Sequence, residues 1–155
     1  MGDEAAQPAS ILVIGIGNPD RGDDAAGLIV ARQIRNEAPN VDRVLEHTGD
    51  GTGLIELWER ATLTIVIDVM CSGAVPGTIE RFDATLHSVP AAVFHNSTHT
   101  FGLHEAIELS RALQRLPRQL VVYGIEGRDF AMGADPSPAV KSAMGQVVLR
   151  VLQEC

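Results

Sequence analysis

Three stretches of the chain are apolar almost throughout: ILVI at 11–14, LTIVIDV at 63–69 and LVVYGI at 120–125. A strand that is apolar on both faces has no side to turn toward water, so it must lie between two covering layers. Between these runs the apolar residues recur every three or four positions, the period of a helix with one buried face. Buried strands alternating with amphipathic helices specify an α/β fold with a mainly parallel sheet. The pattern predicts strands over 11–16, 43–48, 63–69 and 120–125. It predicts a helix from Asp23 or Asp24 to 36, a short one over 54–60, one over 102–114 and a last one ending near 153. Ala26, Ile29, Val30 and Ile34 form the inner face of the first helix, Leu103, Ile107 and Leu113 that of the third, and Val140, Met144, Val147 and Val151 that of the last. A further short strand, 78–82, follows its predecessor too closely for a helical crossover and is expected to run antiparallel.

At 155 residues and 45% hydrophobic, the chain suits one domain spanning 1–155, with 1–9 as a short flexible tail. Its net charge is −8 and Lys141 is the only lysine, a surface that repels nucleic acid and anionic membranes. No apolar run is long enough for a membrane span. The opening MGDEAAQPAS has neither the basic nor the apolar region of a signal peptide. Cys71 and Cys155, far apart in sequence, fit free thiols in a reducing compartment. These features lead to the expectation of a cytoplasmic protein, and a monomer is expected without a feature of the sequence to fix it.

Chemistry is concentrated in GIGNPDRGDDAAG, Gly15 to Gly27, directly behind the first strand. A dinucleotide-binding turn would place a pyrophosphate against the amides opening the following helix. Here Asp20 stands where the third glycine of that fingerprint belongs, and Asp23 and Asp24 would repel the phosphates. A carboxylate-lined turn calls for a cation instead. Asp68 sits near the end of the third strand, and in a 2-1-3 strand order the first and third strands are neighbours. Asp24 and Asp68 would then meet in one crevice, where crowded carboxylates need a cation or protons.

Each of these residues also has a purely structural reading. One of Asp23 and Asp24 is expected to cap the helix, and Asp23 is otherwise expected to position water. For Asp68 the structural reading is satisfaction by loop amides alone, although an ionisable group ending a buried strand is costly without a partner. Of His95, His99 and His104 in HNSTHTFGLH, His99 is favoured as a ligand because it lies in a loop just before a helix. Two carboxylates and one imidazole with open positions suit zinc, nickel or iron. Cys71, Ser72 and Ser97 lack the base and orienting partner that a covalent nucleophile needs.

Taken in order, these motifs resemble the NiFe-hydrogenase maturation endopeptidases. That family has a strand, Gly-x-Gly-Asn, then Asp-Asp or Asp-Glu, two residues and Gly, matched by Gly15 to Asn18 and Asp23 to Gly27. Its later motifs are matched by GDGTG at 49–53, by Asp68 before PGTI at 76–79, and by STHTFGLHEAIEL at 97–109. PDRG at 19–22 is a departure, polar where many members are apolar, on a surface that a substrate can meet. The resemblance implies a three-layer, phosphorylase/hydrolase-like α/β fold, with a twisted, mainly parallel sheet of about five strands and helices on both faces. It implies that Asp24, Asp68 and His99 are both the metal-contacting and the catalytic residues of an aspartic-type endopeptidase. The implied partner is the large-subunit precursor of a NiFe hydrogenase, whose C-terminal extension is removed. Nickel is implied as cargo of that precursor, with zinc or cadmium as the alternative divalent ion in the free protein. Two other readings share parts of the pattern. A phosphoacceptor, receiver-like domain also has acids after its first and third strands, but expects a lysine after the last, where YGIEGRDF has none. A metal-site chaperone would bind the precursor without cutting it.

Overall fold

The computed structural model describes residues 9–91, 93–94 and 101–155. Residues 1–8 of the expected tail lie outside it, as do His95, Ser97 and His99. Among the described residues the chain runs β1 (Ile11–Ile16), α1 (Ala26–Glu37), β2 (Arg43–His47), α2 (Gly51–Trp58), β3 (Leu63–Met70), β4 (Ile79–Asp83), α3 (Leu103–Ala112), β5 (Gln119–Glu126) and α4 (Pro138–Glu154). A 3-10 turn, Gly22–Ala25, carries the chain from β1 into α1.

The sheet has the order β2-β1-β3-β5-β4. Its first four strands are parallel and β4 pairs antiparallel with β5, as its short connection requires. One face of the sheet, through Leu12, Ile14, Val66 and Val122, packs on α2 and α3 with Trp58 fully buried between them. The other face, through Val13, Ile65, Ile67 and Val121, packs on α1 and α4. Burial on both faces explains the unbroken apolar runs of β1, β3 and β5. Among the described residues no helix is long and apolar enough to cross a membrane.

The helix ends depart from the sequence pattern for local reasons. α2 begins at Gly51, three residues early, because the Asp50 carboxylate accepts the Thr52 amide at 3.0 Å and its hydroxyl at 2.8 Å. α3 ends at Ala112, and Gln114 follows in the left-handed conformation, φ 57°. Leu113 therefore lies beyond the helix and is 50% exposed, not on the inner face. Ile29, expected among the inner residues of α1, is only partly buried.

Two glycines of the opening motif set how closely α1 approaches the sheet. A Cβ on Gly17 would lie 1.9 Å from the Asp24 carbonyl oxygen. One on Gly27 would lie 2.4 Å from the carbonyl oxygens of both Ile16 and Ile67. Gly145 is the opposite case, exposed on α4 with open space around its missing side chain. Gly145→Ala is expected to stabilise the protein by about 0.5–1 kcal/mol, read as a raised urea midpoint at unchanged slope, because alanine costs the helix less backbone entropy.

Candidate active site

The carboxyl ends of β1 and β3 lie side by side, with Gly15 opposite Ile67 in the register. The next residue of β3 is Asp68. Side chains alternate along a strand, so Asp68 shares a face with Val66 and Met70, toward α2 and α3. It is 9% exposed, and one oxygen accepts the amide of Val69 at 2.8 Å. Burial, and secondly the charge of Asp24, push its carboxyl well above the usual range.

Asp24 lies in the 3-10 turn and is partly buried. Burial raises its carboxyl too, opposed by the Asn18 amide and the charge of Arg21. Asn18 holds the approach in shape, its side chain accepting the Asp20 amide at 2.9 Å. The tertiary fold thus brings Asp24 and Asp68 within electrostatic reach of each other across 44 residues of sequence (68 − 24). Among the described residues no group of three His, Cys, Asp or Glu side chains stands ready to hold an ion. His99 lies outside the described residues. His104 is the second residue of α3, and its Nδ1 lies 2.9 Å from the Val89 carbonyl oxygen.

Asp23 is neither a helix cap nor a candidate ligand. The 3-10 turn and α1 have no side-chain cap. Fully buried, Asp23 accepts the amides of Arg128 at 2.7 Å, Asp129 at 2.9 Å and Ser137 at 2.6 Å, with the Ser137 hydroxyl at 3.1 Å. It staples the exit of β1 to the loop joining β5 and α4. Burial raises its carboxyl, but these bonds outweigh burial and leave it below the ordinary value. The unfolded state therefore binds the proton more readily, and this stabilisation is present above the ordinary carboxylate range and lost as pH falls through the lowered folded value. Asp23→Asn turns an NH2 group toward donors and is expected to cost about 2–3 kcal/mol in chemical unfolding at neutral pH. The difference from wild type should shrink as the pH is taken below about 4.

Cys71 is exposed just past β3. Its thiol is raised by partial desolvation, then by the charges of Glu126, Asp24 and Asp68, the reverse of what activates a cysteine nucleophile.

Glu126 was missed from sequence. It ends β5 as Asp68 nearly ends β3, an acid closing an apolar run, and it is 3% exposed. The same signal that singled out Asp68 in IVIDVM was present in VVYGIEG.

The model of the HycI hydrogenase maturation protease family matches residues 30–154. The chain belongs to that family. The matched span holds Asp68 and His99 and begins after the Asp23–Asp24 pair. Among curated relatives, the hydrogenase expression/formation protein HupD of Bradyrhizobium diazoefficiens is 29% identical over 142 residues, covering 88% of this chain and 73% of the relative. The coenzyme F420 hydrogenase subunit delta of Methanothermobacter thermautotrophicus is 29% identical over 162 residues, covering 94% of each. Among solved structures, the hydrogenase maturating endopeptidase HybD from E. coli superposes with a TM-score of 0.74 at 21% identity, covering 94% of this chain and 91% of that one. The fold is that of the HybD structure, and the expected α/β class holds for this protease. It is a peptidase of hydrogenase maturation, which sets aside the receiver-like reading.

Proposed function

We propose that this protease removes the C-terminal extension of a nickel-loaded NiFe-hydrogenase large-subunit precursor, and that Asp24, Asp68 and His99 contact the metal during recognition and cleavage. The observation that carries the proposal is the placement of Asp24, in the turn leaving β1, near Asp68 at the end of the neighbouring β3. Asp68 is nearly buried, and the one described hydrogen bond of its carboxylate is accepted from its neighbour's amide. Asp24 adds a second negative charge close by. Two carboxylates so placed gain by sharing a cation, since it removes the repulsion that otherwise drives a proton onto one of them. Oxygen donors with an imidazole fit nickel held by the precursor, and also zinc or cadmium in the free protein. A divalent ion there supplies a Lewis acid for the scissile carbonyl or for water, or a template that reports nickel loading.

The chain's own contributions are separate from the ion. Burial of Asp68 keeps water from competing for its carboxylate, and the Asn18 amide orients Asp24. His99 itself lies outside the described residues, and its proposed role draws support from the described residues on either side of it, Val93 and Phe101. The Val93 carbonyl accepts the Cys71 amide at 2.9 Å just beyond β3, and the Phe101 carbonyl accepts the Gly51 amide at 2.9 Å where α2 begins. Both anchors lie at the carboxyl end of the sheet, where Asp68 stands. The proposal includes a cytoplasmic monomer, with which free thiols at Cys71 and Cys155 agree.

The test is incubation with nickel-loaded and nickel-free precursor, followed by mass spectrometry. Loss of the tail from the loaded form alone is the expected result. Binding to the loaded form with its mass unchanged would establish the chaperone reading instead, and equal cutting of both forms would remove the role of nickel.

A further inference from the structure

We propose that Glu126 is a positioning residue of the protease, whose buried carboxylate fixes the turn leaving β3 and so the end of the strand that carries Asp68. The inference rests on the function proposed above.

Glu126 stands opposite Met70 in the β3–β5 register, at the last residue of each strand. Its Oε1 and Oε2 accept the Ser72 amide at 2.9 and 3.0 Å. Oε2 also accepts the Ser72 hydroxyl at 2.9 Å, and Oε1 the Gly73 amide at 2.9 Å. Its backbone holds the far end of the same loop, accepting the Gly77 amide at 2.8 Å and donating to the Thr78 carbonyl at 2.8 Å. The connection from β3 to β4 is thus wrapped around one residue.

Satisfying the turn's hydrogen bonds does not account for this arrangement. Cys71, Ser72 and Gly73 are exposed residues, and turns on a surface are commonly satisfied by water without a buried acid. An acid buried to 3% exposure is an expensive substitute for water. What a buried, multiply bonded carboxylate adds is a fixed location, with directional charge-assisted bonds to two successive amides. The turn so held begins three residues after Asp68. Its first residue, Cys71, donates to the Val93 carbonyl, so the clamp reaches a second stretch of chain through that bond. Reacting groups displaced by about 1 Å can lose two orders of magnitude in rate, so a group that never touches substrate can still govern turnover.

The test uses the full chain with two variants. Glu126→Gln presents a donor to donors and should release the turn. Glu126→Asp keeps the charge on a shorter arm, which should restore most of the thermal stability while leaving the turn displaced. With nickel-loaded precursor as substrate, kcat is expected to fall about tenfold or more in both variants with KM within about threefold. Amide exchange in the Gln variant is expected to accelerate about tenfold or more at Ser72 and Gly73, and also at Cys71, whose bond is to Val93 and not to Glu126. Wild-type kcat in either folded variant overturns the proposal, as does wild-type protection of Cys71 in the Gln variant. Should Gln fail to fold, the Asp variant decides by the same kcat criterion. Wild-type protein that cuts no precursor would mean that the protease reading has failed, and exchange alone then decides whether Glu126 holds the turn.

Discussion

Asp68→Asn is expected to fold, to gain stability at neutral pH and to lose precursor processing by at least about a hundredfold, the scale of removing a charge-handling group from a reacting centre. Both halves follow from one placement. The carboxylate is nearly buried beside Asp24, and burial and then that neighbouring charge raise its pKa well above the ordinary value. Over the window between the ordinary and the raised value, the folded state keeps a proton that the unfolded state releases. Stability conferred by the protonated form is therefore complete below the ordinary carboxylate range and falls as pH rises through the raised value. Asparagine cannot ionise, so the variant should lose this slope and exceed wild type at the alkaline end of the window. Melting temperature against pH for the two proteins, without added metal, reads the stability effect. Mass spectrometry of nickel-loaded precursor reads the activity. Full processing by Asp68→Asn would eliminate Asp68 from the reaction, and a parallel pH dependence would show that its carboxyl is not strained by folding.

Gly27→Ala is expected to be among the most damaging single-methyl additions in the chain. The new carbon would stand 2.4 Å from two backbone oxygens, those of Ile16 on β1 and Ile67 on β3. Neither can rotate away as a flexible side chain would, so α1 must lift from the sheet. Lifting it separates Ala26, Val30 and Ile34 from Val13 and Ile65, all fully buried. Overpacking commonly costs about 1–3 kcal/mol, and contact with backbone on two strands places this case at or above the upper end. Against a typical total of about 5–15 kcal/mol, that is a large share. Urea unfolding should show a lowered midpoint, and processing should fall as well because Asp24 rides on the same turn. A change below about 1 kcal/mol would show that the helix can move freely, and with it the turn that carries Asp24.

Much of the fold was legible because burial on both faces leaves a local trace. The runs at β1, β3 and β5 are apolar in sequence because layers cover them, and the short link before β4 leaves no room for a parallel crossover. The helix ends were less legible. Asp50 as a cap and Gln114 as a left-handed stop act through single hydrogen bonds and dihedral angles, which hydrophobic periodicity does not report. Asp24 and Asp68 were readable as acids at strand ends. The division of labour between Asp23 and Asp24 was not, because adjacent identical side chains differ only in what distant segments offer them. For Asp23 those partners are the amides of Arg128, Asp129 and Ser137, more than a hundred residues away.

The sequence by itself determined the layered α/β architecture, the direction of each strand and an acid-lined turn unsuited to phosphate, because apolar period, connection length and charge are properties of neighbouring residues. Only the tertiary structure decided which acids face each other and which are consumed by backbone amides. The ionisation of Asp23 and Asp68 diverges in opposite directions from the same chemical group, since burial filled with amides still favours the carboxylate, while burial and then a second carboxylate oppose it.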